Sequence, residues 1–176
     1  MEKHKKYAAL DAIDAATEIP TNPNKPIFSI GYKRGNEFEI LPEFIPERKG
    51  EIWGYEILPN ILLAKKCGPD GNVISTTWNN VKSFADACKL EGKNGSLPFK
   101  EILYQNRAKG LPQRIKLMDN FLRENGVDAE EEAVGKIWCY EVYDLNYAYY
   151  FDLDCHSVDW SNKNCFYEGC RLAVAF

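Results

Sequence analysis

The sequence predicts an α+β fold, with two or three helices packed on short, mostly antiparallel strands. Three observations carry the expectation. The apolar period is two through residues 27–65, shifts to three and four between residues 77 and 125, and returns to two from residue 136 onward. Gly31, Gly35, Pro42, Pro46, Gly50 and Pro59 break the first half into pieces of strand length. A chain of 176 residues with 45% hydrophobic side chains can also build one core without disulfide staples.

The elements follow in order. Tyr7 to Glu18 is alanine-rich, with Leu10 and Ile13 on one side and acids on the other, and reads as a short amphipathic helix. Pro20, Pro23 and Pro26 stop it, so residues 1–26 are expected to form a helix and extended linker ahead of a single domain over 27–176. Strands are expected at Ile27 to Tyr32, Phe38 to Leu41, Ile52 to Leu58 and Ile61 to Lys65, and Cys67 to Asn72 reads as a loop. Thr77 is placed to cap a helix through Leu90, with Val81, Phe84, Ala85 and Cys88 on its inner face. A short helix from Phe99 to Lys109 precedes a longer one from Pro112 to Asn125. The longer one turns Ile115, Met118, Phe121 and Leu122 inward and stops at Gly126. Lys136 to Tyr143, Tyr147 to Leu153 and Cys170 to Phe176 alternate as three terminal strands, leaving Asp154 to Gly169 as a long polar loop. Trp138, Ala148, Phe151, Val174 and Phe176 are the expected core of that terminal sheet, and Glu141 and Arg171 are expected to pair as a structural bridge.

Charge and composition narrow the function. A formal charge of −4 and a pI near 5.3 lack the basic field of a general nucleic-acid binder. No apolar run approaches the roughly 20 residues that cross a membrane as a helix, so no membrane insertion is expected. Met1 to Lys6 is basic like the start of a leader, but Asp11 and Asp14 interrupt what would be its apolar stretch. The chain therefore reads as made without a cleavable secretion signal, virion-associated or cytoplasmic before assembly, with display on a cell surface as the other location. Cysteines at 67, 88, 139, 155, 165 and 170 match no disulfide scaffold, so reduced thiols are the default. A zinc set of Cys155, His156, Cys165 and Cys170 lacks the paired C-x-x-C knuckle, and no metal or other cofactor is expected.

Four of the six cysteines and six of the ten tyrosines fall in the last 38 residues. Aromatics with polar tips supply contact area at low entropic cost, whereas catalysis needs convergent acids, bases or ligands, and no Ser/His/Asp or paired-carboxylate arrangement can be located. A thiol enzyme using Cys155 beside His156 is the alternative with chemistry in it. A binding protein, not an enzyme, is the reading preferred.

Several short motifs fall in a consistent order. They are Trp78-Asn79-Asn80-Val81 with Ala85 and Cys88, Gly95-Ser96-Leu97-Pro98, Trp138-x-x-Glu141-x-Tyr143, Asn146-x-Ala148-x-Tyr150-Phe151, Trp160-x-Asn162-Lys163, and Arg171-x-x-Val174-Ala175-Phe176. Over roughly residues 50 to 176 this order resembles the C-type-lectin-like domains at the C terminus of bacterial and phage collagen-like adhesins, whose relatives include the variable proteins of diversity-generating retroelements. Two departures stand out: Cys139 and Tyr140 replace the small hydroxyl residues usual between Trp and Glu, and Leu172 replaces the proline that commonly follows the terminal Arg.

The resemblance implies a C-type-lectin-like fold and a diversified surface. The products of adenine-directed mutagenesis of asparagine codons include Tyr, Asp, His, Ser, Cys, Phe, Val and Leu, whereas Trp, Glu, Lys and Met are not reachable. Cys139, Tyr140, Val142, Asp144, Leu145, Tyr147, Cys155, His156, Asp159, Cys165 and Phe166 fit those products, between unreachable Trp138, Glu141, Trp160 and Lys163. The expected ligand-binding set is Tyr140, Val142, Asp144, Leu145, Tyr147, Tyr149, Asp154, Cys155, His156, Asp159, Asn162, Asn164, Cys165, Phe166 and Tyr167, within a recognition surface over 138–170. The expected partner is a protein or glycan receptor on another cell or particle. A different class of reading is a structural or assembly module of a virion or surface complex, with a homo-oligomer formed through the Tyr7 to Glu18 helix. A third, by analogy of fold, is an oxidase of the formylglycine-generating kind.

Overall fold

A computed structural model describes residues 26–66, 77–107, 110–131, 135–165 and 170–176. The expected helix at 7–18, the linker before residue 26, the loop at 67–72, Phe166 and Tyr167 lie outside the described residues.

The larger of two sheets holds seven strands: β1 (Ile30–Arg34), β2 (Glu37–Leu41), β3 (Ile52–Leu58), β4 (Ile61–Ala64), β5 (Lys89–Leu90), β6 (Lys93–Asn94) and β10 (Ala173–Ala175). Their order is β10-β4-β3-β1-β2-β5-β6, antiparallel throughout except for β2 beside β5. Just past the β6 edge, Ser96 exchanges two backbone hydrogen bonds of 2.8 Å with Ala175 of the β10 edge, so the sheet curls back on itself. The smaller sheet is β7 (Lys136–Val142), β8 (Tyr147–Asp152) and β9 (Ser157–Asn162), antiparallel in sequence order. Three α-helices are described: α1 (Trp78–Ala87), α2 (Lys100–Gln105) and α3 (Leu111–Glu124), with one 3-10 turn at Pro46–Glu51.

Every residue of β3 and β4 is buried, because apolar cores lie on both faces. Strand alternation in β4 sends Ile61 and Leu63 toward Ile115, Met118 and Leu122 of α3. Leu62 and Ala64 go instead toward Trp78, Val81 and Ala85 of α1, with Trp138 and Val174 in the same cluster. Gly54 is required where β3 meets β4: a Cβ there would stand 1.9 Å from the Leu63 carbonyl oxygen.

Four expectations need correction. First, α1 ends at Ala87, and Leu90 belongs to β5. Thr77 has the extended backbone of an N-cap but makes no side-chain capping hydrogen bond; its carbonyl accepts from Val81 N at 3.0 Å. Second, the polar stretch 154–169 is not all loop, since Ser157–Asn162 forms the outer strand of the smaller sheet. Third, β10 pairs with β4 in the larger sheet rather than with the other terminal strands, and Phe176 lies past its end, half-buried against Phe38.

Fourth, Glu141 and Arg171 do not pair. Arg171 is wholly buried, and its Nη2 donates to Asp119 Oδ1 at 2.7 Å and to Tyr55 Oη at 2.8 Å, while Nε donates to the Ala64 carbonyl at 2.9 Å. The Tyr55 hydroxyl donates to the same Asp119 oxygen at 2.6 Å. A charge this deep is held by the carboxylate that tertiary packing brings to it, here on α3. Burial pushes the Asp119 carboxyl above its ordinary range against the pull of the guanidinium, and pushes the Tyr55 phenol up as well.

Candidate functional site

The smaller sheet carries the candidate site, and a bulge in β7 shapes it. Four steps from Trp138 to Val142 are matched by two from Tyr150 to Ala148, so simple alternation fails between them. Trp138 and Cys139 are consequently both buried, while Tyr140, Val142 and Tyr143 are all exposed. The Trp78 indole fixes the start of this segment by donating to the Cys139 carbonyl at 2.9 Å.

The β7–β8 turn is held by Asp144, whose Oδ1 accepts the backbone N–H groups of Asn146 at 2.8 Å and Tyr147 at 2.9 Å. That geometry thrusts Leu145 outward to 86% exposure, the highest of the large apolar side chains among the described residues. Lys163 anchors the turn from beside β9. Its Nζ donates to the Leu145 carbonyl at 3.0 Å and its N–H to the Asn146 carbonyl at 2.9 Å, with the ammonium 4.8 Å from the Trp78 ring centre.

Across β8 and β9, Tyr149 sits opposite Trp160 and Tyr147 opposite Asn162, so the four share a face. Trp160 stacks on Tyr143 at 4.8 Å between ring centres and 6° between planes. Tyr149 meets both edge-on, at 6.1 Å from Tyr143 and 6.3 Å from Trp160. Helix α2 lies against this sheet. Its first residue, Lys100, holds its ammonium 5.0 Å over Tyr149, and the preceding Phe99 meets Tyr140 edge-on at 5.3 Å. Glu141 fixes that helix end: its two carboxylate oxygens accept the Lys100 backbone N–H at 3.1 and 3.0 Å, where Phe99 supplies no side-chain cap.

The electrostatics are uneven. Glu141, Asp144 and Asp159 each accept backbone amides, the last from Trp160 N at 2.8 Å. The Lys100 ammonium, by contrast, meets no carboxylate among the described residues.

Thirteen of the fifteen expected site residues are described, and none is buried. Tyr140, Val142, Asp144, Leu145, Tyr147, Asp154, Cys155, His156, Asp159 and Asn164 are exposed; Tyr149, Asn162 and Cys165 are half-buried. The hairpin and β9 bring Tyr140, Val142, Asp144, Leu145, Tyr147, Tyr149 and Asn162 to one region. Asp154, Cys155 and His156 occupy the β8–β9 turn, where Asp152 Oδ1 accepts from the N–H groups of Asp154 and Cys155 and His156 adopts φ 56°. Tyr143, Trp160, Phe99 and Lys100 were missed as contact residues. Alternation from the buried Trp138 puts Tyr143 on the opposite side, yet the expected set omits it; it is Tyr140 and Val142, on the side of Trp138, whose exposure depends on the bulge. Trp160 was legible only as an element of a motif, and no local signal brings residues 99–100 to this sheet.

Cys139 matches the products of diversification, yet it is wholly buried and belongs to the core. Burial pushes its thiol up, and the Cys88 thiol is pushed up to about 12 for the same reason. Cys170 is buried as well, apart from the exposed Cys155. Among the described residues no three His, Cys, Asp or Glu side chains gather as a metal-holding group, so Cys155, His156, Cys165 and Cys170 are not brought together as one. No hydrogen bond joins Cys155 to His156. No helix among the described residues is long and apolar enough to cross a membrane. A cleft of about 620 Å³ lined by Ser29, Phe38, Ile40, Glu56, Asn60 and Leu90 lies on the larger sheet and includes none of the candidate residues.

Comparison with protein-family models gives no match, and comparison with curated proteins gives none.

Proposed function

We propose that the chain is a ligand-binding protein built on a C-type-lectin-like scaffold, a variable protein of the kind that diversity-generating retroelements serve in phages and bacteria. It recognises a protein or glycan receptor on another cell or particle by contact, with no chemistry on the ligand. One observation carries the reading. Of the positions that fit adenine-directed change, Cys139 apart, none that is described is buried and all but the half-buried Cys165 are exposed, and those on the β7–β8 hairpin share a region with Tyr143, Tyr149 and Trp160. Exposed aromatics beside adaptable polar groups are the usual anchors of a recognition surface.

The remainder of the fold supports the same division. Two apolar clusters and the Arg171–Asp119–Tyr55 network lie beneath the surface and include none of the exposed candidates. Change at Tyr140, Val142, Leu145 and Tyr147 therefore leaves both clusters and that network in place, whereas Asp144 also holds the β7–β8 turn and Tyr149 also packs against the larger cluster.

The test is deep sequencing of the codons for residues 138–170 across a natural population, with a search for an adjacent near-copy and a reverse transcriptase. Substitutions confined to template adenines, concentrated at Tyr140, Val142, Asp144, Leu145 and Tyr147, are expected. A uniform sequence with no near-copy sinks the proposal.

A further inference from the structure

We propose that the Tyr143–Tyr149–Trp160 platform binds a sugar that bears a carboxylate, a sialate or uronate residue, and holds it without a metal ion. The inference rests on the ligand-binding reading above and names the ligand class for the same surface.

The first reason is the form of the platform. Its rings are fixed by one another, at 4.8, 6.1 and 6.3 Å between centres, so their faces are set before a ligand arrives. Around them stand groups with no hydrogen-bond partner among the described residues: the hydroxyls of Tyr143, Tyr147 and Tyr149, and the amide nitrogen of Asn162, whose oxygen alone is engaged, by Asn164 N at 2.9 Å. A pyranose has the complementary form. Its C–H face covers an aromatic ring while its hydroxyls reach polar groups at the ring's edge.

Charge is the second reason, and it decides which sugar. The nearby carboxylates of Glu141, Asp144 and Asp159 are engaged by backbone amides, and the Lys163 ammonium is engaged by the Leu145 carbonyl. Among the described residues Lys100 alone presents an ammonium to the platform with only the Tyr149 ring beneath it. A cation over an aromatic face, without an acceptor of its own, suits a ligand that brings both an apolar face and a carboxylate. Lys100 lies outside the expected variable segment, and tryptophan is not a product of adenine-directed change at asparagine codons. Trp160 and Lys100 would thus persist as one fixed subsite while Tyr140, Val142 and Leu145 vary around it.

The experiment uses the full chain on an array of sialylated and uronate-containing oligosaccharides, each printed beside its carboxyl-reduced counterpart, in EDTA. Acidic members are expected to bind at least about tenfold more tightly than their reduced partners. Lys100→Met should bring each pair to within about twofold, with an unchanged melting temperature, and Trp160→Ala should remove binding of both. No binding to any acidic glycan, equal binding of the reduced forms, or a preference that survives Lys100→Met overturns the inference, as does capture of a protein partner by this face without acidic-glycan binding. If sequence variation maps to the hairpin but no acidic glycan binds, the proposed function stands and the ligand class falls. If acidic glycans bind and the codons are uniform, the reverse holds.

Discussion

Replacing Asp119 with alanine should be among the most damaging single changes available to this chain. The carboxylate is 1% exposed and accepts from the Arg171 guanidinium at 2.7 Å and the Tyr55 hydroxyl at 2.6 Å. Its removal takes from the wholly buried guanidinium the carboxylate it donates to, whereas its contacts with the Tyr55 hydroxyl and the Ala64 carbonyl are to neutral groups. Breaking one side of such a pair costs about 3–5 kcal/mol, a large share of the roughly 5–15 kcal/mol that holds a domain folded. For a chain of this length the melting temperature should fall by about 6–20 °C. Urea unfolding followed by tryptophan fluorescence measures the loss directly. The double change Asp119→Leu with Arg171→Met should recover much of it, because the penalty comes from the stranded charge and not from the absent bond. A loss below about 1 kcal/mol in the single variant would refute the reasoning, for it would mean that the guanidinium reaches water or another acceptor.

Three further outcomes follow from the same structure. Tyr140→Ala and Tyr147→Ala should leave the melting temperature nearly unchanged, while Trp138→Ala and Phe151→Ala, each removing a side chain that is 1% exposed, should cost about 3–5 kcal/mol in thermal melts; the opposite pattern ends the division between display and core. Glu141→Ala removes the remote cap of α2 and should cost about 0.5–2 kcal/mol while raising amide exchange at Lys100 and its neighbours in that helix; unchanged exchange there would show that the helix end holds itself. Stability should be level from neutral pH to about pH 9 and decline above it. The Cys88 thiol ionises near 9 when unfolded but only at about 12 when folded, and burial raises Cys139 and Tyr55 likewise, so each group's contribution is complete below its unfolded pKa and is lost as pH rises through the folded one. A urea midpoint that stays flat to pH 11 would contradict this.

Much of the fold was legible where the code is local. Strand β3 begins and ends where Gly50 and Pro59 predict, and α3 runs from Leu111 to Glu124 because Pro112 and Gly126 punctuate an apolar stripe at helical spacing. Strand β9 was not legible: Ser-Val-Asp-Trp-Ser-Asn at the margin of a three-stranded sheet buries too little to show a period of two. Strand β10 was legible as a strand but not as a member of the larger sheet, because its register with Ile61 to Leu63 is set by tertiary packing across the length of the domain. The site divides in the same way. That some of the terminal tyrosines are exposed follows from aromatics outnumbering core positions, but the exposure of Tyr140 and Val142, which alternation sets on the side of Trp138, follows from the bulge. The Tyr143–Trp160 stack and the arrival of Lys100 depend on a bulge and a helix docking that no short window encodes.

Cys139 brings scaffold and display into direct conflict. Its place in the sequence fits adenine-directed change, but its side chain is wholly buried, next in the chain to Trp138 and two residues from Ile137, whose carbonyl its thiol faces at 3.6 Å. An aspartate there would bury a charge with no partner, and a tyrosine or phenylalanine would force apart a packed face; either costs several kcal/mol by ordinary estimates. Serine and cysteine are among the small products of such change. If the codon is templated, functional members of a population should therefore hold small residues such as Cys, Ser or Ala at 139 while neighbouring Tyr140 and Val142 range over large and charged residues. Sequencing before and after selection for folded protein separates the two effects. Aromatic or acidic residues at 139 that survive selection as often as those at 140 would place the boundary between core and display elsewhere.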